Sequence, residues 1–203
     1  MEYAIHLFNA GGVVMYPLVL FMLAACTILF ERIRMYRRID TEIQQLSASI
    51  ESGRNANDWS ALEQAIKNND DALSQFVTPI VDSVYNFEGL ENRLHDVVGY
   101  MDERLKRGLN WLSMMVTMAP LLGLLGTVVG MIRSFAAVGG DIGAPTVITG
   151  GVSEALIATA TGLSVAIVAL AIHSWCTSKV NYDIAKLEQH LGSILDLYIR
   201  SQR

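Results

Sequence analysis

Three long stretches of this chain, 13–30, 111–132 and 155–178, contain no Asp, Glu, Lys or Arg. Each is near or above the ~18 residues that an apolar helix needs to cross a ~30 Å hydrocarbon layer. A chain of 203 residues, 52% of them hydrophobic, has too little polar sequence to bury three such helices in a soluble core. The expectation is an all-α integral membrane protein with three transmembrane helices, at 13–31, 111–136 and 149–176.

The basic residues orient it. No Lys or Arg precedes the first run, while Arg32, Arg34, Arg37 and Arg38 follow it closely. Since cytoplasmic flanks are enriched in Lys and Arg, the N-terminus is expected outside and the C-terminus in the cytoplasm. Of the 15 basic residues, all but Arg133 then lie on the cytoplasmic side. A cleaved signal peptide has its bases before the apolar stretch, so the first run reads as a retained anchor. Cys26 falls in the membrane and Cys176 at its cytoplasmic edge, which argues against a structural disulfide.

The rest of the chain is organised around those spans. Residues 1–12 read as an interfacial lead-in, 32–110 as a cytoplasmic helical insert, 137–148 as an outer loop and 177–203 as a cytoplasmic helix. Within the insert, Ile43, Leu46 and Ile50 share a helical face, 53–58 reads as a turn, and Ser60 to Glu63 has capping-box spacing. Phe76, Val77, Ile80, Val81, Val84 and Tyr85 continue the helical period up to a break near 86–89. Leu90, Leu94, Val97, Val98, Met101, Leu105 and Leu109 then form a stripe that predicts one unbroken helix running into the second span. Val180, Ile184, Leu187, Leu191, Ile194 and Tyr198 carry a like stripe beyond the third. Each extension projects roughly 30 to 40 Å into the cytoplasm. A half-apolar helix must pack on something, here either the other extension or a neighbouring subunit, and an oligomer is favoured.

The chemistry-bearing residues are few. His6, His95, His173 and His190 are scattered, no nucleophile and base are paired, and no ligand set has metal spacing. No catalytic residue, metal or cofactor is therefore expected, and the lack of a basic stripe interleaved with aromatics gives no sign of nucleic-acid binding. What stands out is Glu154, the one acid of the third span, since an intramembrane carboxylate is by default functional. The alternative is a helix-start residue at the outer interface, where acids favour the N-terminal dipole. At about 100° per residue, Ala158, Thr161 and Val165 lie near the Glu154 face and Thr159 points away. Thr161 is expected to bond its own backbone. In the second span Gly123, Gly126 and Gly130 line one face, and in the third Ala155, Ala158, Gly162 and Ala166 are also small, as close helix packing in lipid requires.

These two motifs carry a resemblance. Ala119-Pro120-Leu121-Leu122-Gly123-Leu124-Leu125-Gly126-Thr127-Val128-Val129-Gly130-Met131-Ile132, followed in order by Gly150-Gly151-Val152-Ser153-Glu154-Ala155-Leu156-Ile157-Ala158-Thr159-Ala160-Thr161-Gly162-Leu163, resembles the signature of the MotA/TolQ/ExbB proton-channel family. The opening Gly11-Gly12-Val13-Val14-Met15-Tyr16-Pro17 and the long insert extend the likeness over most of the chain. The resemblance implies a homopentameric ring in the bacterial inner membrane, with a periplasmic N-terminus. The ring would surround an ExbD/TolR-type single-span partner and work with a TonB- or TolA-type protein. It further implies that Glu154, Thr127, Thr159 and Thr161 form a proton pathway, while Gly123, Gly126, Gly130, Ala158 and Gly162 pack helices. A three-span chain of this length is similar to the ExbB and TolQ members and lacks the fourth span of MotA. ExbB-like energisation of outer-membrane uptake is the first reading; a TolQ-like role in envelope integrity and a non-conducting scaffold are the alternatives. Two positions depart from the family pattern. Val168 replaces a proline that would bend the third span, and Arg133 puts a positive charge at the outer end of the second, where it is expected to snorkel to the interface.

Overall fold

The structure is a computed structural model that describes residues 11–56, 58–69, 71–83, 87–138 and 145–202. Among these residues the elements are α1 (Met15–Ala56), α2 (Trp59–Lys67), α3 (Ala72–Asp82), α4 (Phe87–Lys106), α5 (Leu109–Val138) and α6 (Pro145–Ser201). The chain divides into two compact units, Met1–Phe30 with Gly108–Trp175, and Glu31–Arg107 with Cys176–Arg203. Helices α1 and α6 contribute to both. The expected segment 1–12 falls largely outside the described residues, as do Val84 and Tyr85 and half of the expected outer loop, of which α5 takes residues 137–138 and α6 residues 145–148.

The first unit is an apolar bundle with its small residues inside. Leu18, Ala119, Val165 and Ala166 form the buried centre, with Val14, Phe21, Met22 and Leu122 against it. Large apolar side chains point outward: Leu20, Leu121, Leu124, Ile132, Phe135, Leu156 and Ile167 are each more than half exposed. Two helical stretches, Phe87–Ala136 and Thr149–Ser201, are long and apolar enough to cross a membrane, and only 28% and 39% of their most apolar windows are buried. A core helix of a soluble protein would be mostly covered; this surface calls for lipid or neighbouring subunits. The first expected span lies at the start of α1 and is not one of those two stretches. Pro17 falls in the first turn of α1, where its missing N–H leaves no bond unmade.

Helices α5 and α6 meet along a seam of small residues. A Cβ placed on Gly162 would stand 2.6 Å from the Ala119 carbonyl oxygen, and one on Gly123 would stand 3.1 Å from the Ala158 carbonyl oxygen and from Thr159 Cα. A Cβ on Gly126 would lie 2.5 Å from Ala158 Cβ, and one on Gly130 3.0 Å from the Gly151 carbonyl oxygen. All five residues assigned to helix packing from the sequence therefore lie on the seam. Helix α6 runs unbroken through Val168, as the absence of proline there allows.

The second unit buries the stripes that the sequence showed. Tyr36, Ile39, Ile43, Leu46 and Ile50 of α1, Leu62 and Ile66 of α2, and Leu73, Val77 and Val81 of α3 are buried. So are Leu90, Leu94, Val97, Met101 and Leu105 of α4, together with Val180, Leu187, Leu191 and Ile194 of α6. The extensions thus pack on elements of the same chain. Trp59 meets Tyr198 edge-on at 5.3 Å between ring centroids. Charge is buried as well. Lys179 Nζ donates to both Asp40 oxygens, at 2.9 and 2.8 Å, and to Asp183 Oδ1 at 2.8 Å, and Asp183 is fully buried. Burial pushes the Asp183 carboxyl up, against the hydrogen bond from Lys179. At Lys179 burial acts to lower the pKa, but the bonds to Asp183 and Asp40 outweigh it and hold the ammonium above its ordinary value. Arg32, 5% exposed, folds back to donate from Nη1 to the Leu105 carbonyl at 3.4 Å. A cation there satisfies one of the last carbonyls of α4.

Three local expectations are corrected. Helix α1 continues through Gly53 to Ala56. The glycine is there for proximity, since a Cβ on it would lie 2.6 Å from Leu62 Cβ. The N-cap of α2 is Asp58, whose side chain accepts from the Ser60 N–H at 2.9 Å; Ser60 lies inside the helix, and Glu63 pairs with Lys67 at 2.6 Å instead of closing a capping box. The helix predicted to run unbroken from Leu90 into the second span stops at Lys106, and α5 starts at Leu109. Gly108 between them has φ +89°, a left-handed conformation that costs other residues roughly 1–2 kcal/mol. The apolar stripe carries across this break, so its period could not reveal it.

Gly162→Val should destabilise the α5–α6 pair by about 1–3 kcal/mol, the usual penalty of overpacking, measured as a loss of thermal stability of the detergent-solubilised chain. Lys179→Met should destabilise the second unit at neutral pH by about 3 kcal/mol, because it strands the Asp183 carboxylate. The folded-state pKa of Asp183 lies above its unfolded value, so its stabilising contribution is present below the unfolded value and lost as pH rises through the folded one. Without Lys179 that loss deepens. The deficit of the variant should therefore shrink as pH falls from 7, read by amide hydrogen exchange in 31–107 and 176–203.

Candidate functional site

Glu154 is not a helix-start residue. Helix α6 begins at Pro145 and runs through Gly150 and Gly151, placing Glu154 more than two turns inside, beyond the reach of the terminal dipole. Its side chain is 26% exposed and Oε1 accepts from Arg133 Nη1 at 3.2 Å. The second neighbour is Gly12, whose backbone lies against the Glu154 carboxylate so closely that any side chain at position 12 would collide with it. Gly12 also has φ +70°, so glycine is required there twice, by conformation and by space. Beside it, a Cβ on Gly11 would lie 3.2 Å from Ile157 Cγ2. The acid thus sits where the chain entering α1, the outer end of α5 and the third turn of α6 converge.

The threonines are not gathered around it. Thr127 Oγ1 donates to the Leu124 carbonyl at 2.6 Å and Thr161 Oγ1 to the Ile157 carbonyl at 2.8 Å, each within its own helix. Thr161 behaves as expected. Thr159 Oγ1 crosses the seam to the Gly123 carbonyl at 3.0 Å, joining the two motif-bearing helices where their backbones are closest. Each hydroxyl has its proton committed to a carbonyl and keeps lone pairs that can accept. Ser134, buried, donates to the Gly130 carbonyl at 3.0 Å and packs against Gly151.

Three residues of this site were missed from the sequence. Arg133 was expected to reach the outer interface; it turns to Glu154 because that carboxylate lies within range. The available signal was that opposite charges end the second span and open the third. Gly12 and Ser134 gave no comparable signal, since nothing local tells which neighbour a glycine or serine will meet. Thr159→Val, which removes the hydrogen bond across the seam while the Gly123 carbonyl keeps its place in the helical ladder of α5, should cost about 1 kcal/mol, whereas Thr159→Ser should cost much less. Thermal unfolding of the two variants in detergent measures the difference.

The signature of the MotA/TolQ/ExbB proton channel family matches residues 64–189. An ExbB-like biopolymer transport protein of Synechocystis sp. is 34% identical over 170 residues, covering 81% of this chain and 67% of the relative. A second ExbB-like protein of the same organism is 30% identical over 198 residues, covering 94% of this chain and 93% of the relative. The solved flagellar MotAB stator complex from Bacillus subtilis contains a chain that superposes with a TM-score of 0.65 at 20% identity, covering 94% of this chain and 80% of that one, which shows a shared fold. The chain belongs to the MotA/TolQ/ExbB proton channel family, and it is a membrane protein and not an enzyme.

Proposed function

We propose that this chain is an ExbB-like ring subunit of an inner-membrane, proton-driven complex. Five copies surround an ExbD-type single-span partner and use proton-motive force to energise TonB-dependent uptake across the outer membrane. The observation that carries the reading is the placement of Glu154: the one acid of the third span, deep in α6 and only partly exposed. The ExbB-like relatives support it. In this reading the first span runs at 13–31, completing three with 111–136 and 149–176. The N-terminus is periplasmic, the insert 32–110 and the tail 177–203 are cytoplasmic, and 137–148 is the periplasmic loop. The outward leucines and isoleucines of the first unit meet lipid and neighbouring subunits.

Glu154 then helps protons reach and leave an acid on the partner, while Thr127, Thr159 and Thr161 support a polar layer through their free lone pairs. One charge crossing the membrane yields ~2.3 kcal/mol per 100 mV, so several protons must couple to any sizeable mechanical step. A second reading, a non-conducting scaffold, is favoured by the Arg133 contact, which gives Glu154 a structural partner.

Growth on siderophore-bound iron separates them. A strain lacking the gene receives either wild type or Glu154→Gln at equal expression. Rescue by wild type alone is expected. Rescue by both removes Glu154 from the mechanism and supports the scaffold. Rescue by neither overturns the uptake role in favour of a TolQ-like one.

A further inference from the structure

We propose that Arg133 is the positioning residue of Glu154, the counter-ion that fixes where its carboxylate stands; the proposal rests on the proton reading of Glu154 above. Three observations support it. The Arg133 Nη1 to Glu154 Oε1 distance is 3.2 Å, so the charges are paired across α5 and α6. The backbones beneath the pair are clamped, with Gly130 against Gly151 and Ala155, so neither helix can shift without moving it. Gly12 lies against the carboxylate as well. The acid is thus held by an ion pair on one side and by backbone on the other, where a lone glutamate would sample several rotamers.

The arrangement also leaves Arg133 and Glu154 accessible. Arg133 is 54% exposed and Glu154 26%, and a guanidinium has five N–H donors, of which one is used among the described residues. A paired charge costs less to hold in a low-dielectric surrounding than an isolated one. Arg133 therefore lets the carboxylate remain in place between proton transfers, while the contact, a single hydrogen bond, is weak enough to open. Because one N–H makes the contact with Glu154, a lysine at 133 can substitute for it, although it could not reproduce a bidentate clamp.

The test uses the complementation strain with wild type, Arg133→Gln, Glu154→Gln, the double variant and Arg133→Lys. Siderophore-dependent uptake and the yield of chemically cross-linked rings in intact membranes are both measured. Arg133→Gln should lower uptake by at least about tenfold with full ring yield, the double variant should be no worse than either single one, and Arg133→Lys should restore most of the uptake. Full uptake by Arg133→Gln overturns the proposal, as does an additive double variant, failure of the lysine variant, or a loss of rings that marks a merely structural role. The Glu154→Gln arm stands by itself. If that variant is active, the proton reading fails; if it is defective while Arg133→Gln is active, only the positioning role fails.

Discussion

The close approach of α5 and α6 is the constraint on which the first unit depends. In a hydrocarbon surrounding, burying apolar side chains gives little drive for helices to associate, because lipid is as apolar as leucine. What remains is van der Waals contact and interhelical hydrogen bonding, both of which need backbones near one another. The seam supplies both. Gly123, Gly126, Gly130 and Gly162 remove the Cβ atoms that would hold the helices apart, and Thr159 adds a hydrogen bond to Gly123 across the gap that results. A larger residue at any of these positions separates the helices and, with them, Arg133 from Glu154.

Much of this was legible in the residues because it follows from pattern. Uncharged runs, the small-residue spacing and the two motifs pointed to a helical membrane protein and to Gly123, Gly126, Gly130, Ala158 and Gly162 as packing positions. The stripes from Leu90 and from Val180 correctly marked buried faces. Pattern failed where a single residue decides. The stretch 53–58 reads as a turn, yet Gly53 sits in a helix to admit Leu62. Gly108 was passed over, although it ends α4 with a left-handed residue. Both errors come from the same ambiguity: glycine serves conformation or proximity, and only the neighbour across the packing interface says which. The contact of Glu154 with Gly12 was invisible for a like reason, since the two lie far apart in sequence, whereas Arg133 left its one signal in the opposite charges that end the second span and open the third.

The second unit solves a different problem with different means. Its helices carry charged outer faces, and apolar burial can organise them in the ordinary way. Even so it buries Asp183 beside Lys179 and Asp40, and Arg32 beneath α4. Such groups contribute little net stability compared with an apolar core, but each tolerates few alternative partners. Lys179 can satisfy Asp40 and Asp183 together only when α1 and α6 hold one register. The buried charges thus select an arrangement among several that the leucine and isoleucine stripes alone would permit. The arginines after the first span, counted as orientation signals, are not equivalent for this reason. Arg32 is committed to the Leu105 carbonyl, while Arg38, with a side chain 74% exposed, pairs with Glu42 at 3.0 Å.

The proton role proposed for Glu154 would place two opposed demands on its carboxylate. It must be held, so that a proton arrives at a defined place, and it must be free enough to exchange that proton. Full burial with complete hydrogen bonding would satisfy the first and defeat the second; an unpaired acid on a lipid-facing surface would carry a large desolvation cost. Glu154 lies between these limits. Backbone at Gly12 and the seam at Gly130 define its position, a single Arg133 N–H balances its charge, and a quarter of the side chain stays accessible. The small residues around it serve this compromise, because they fix the helices without covering the acid.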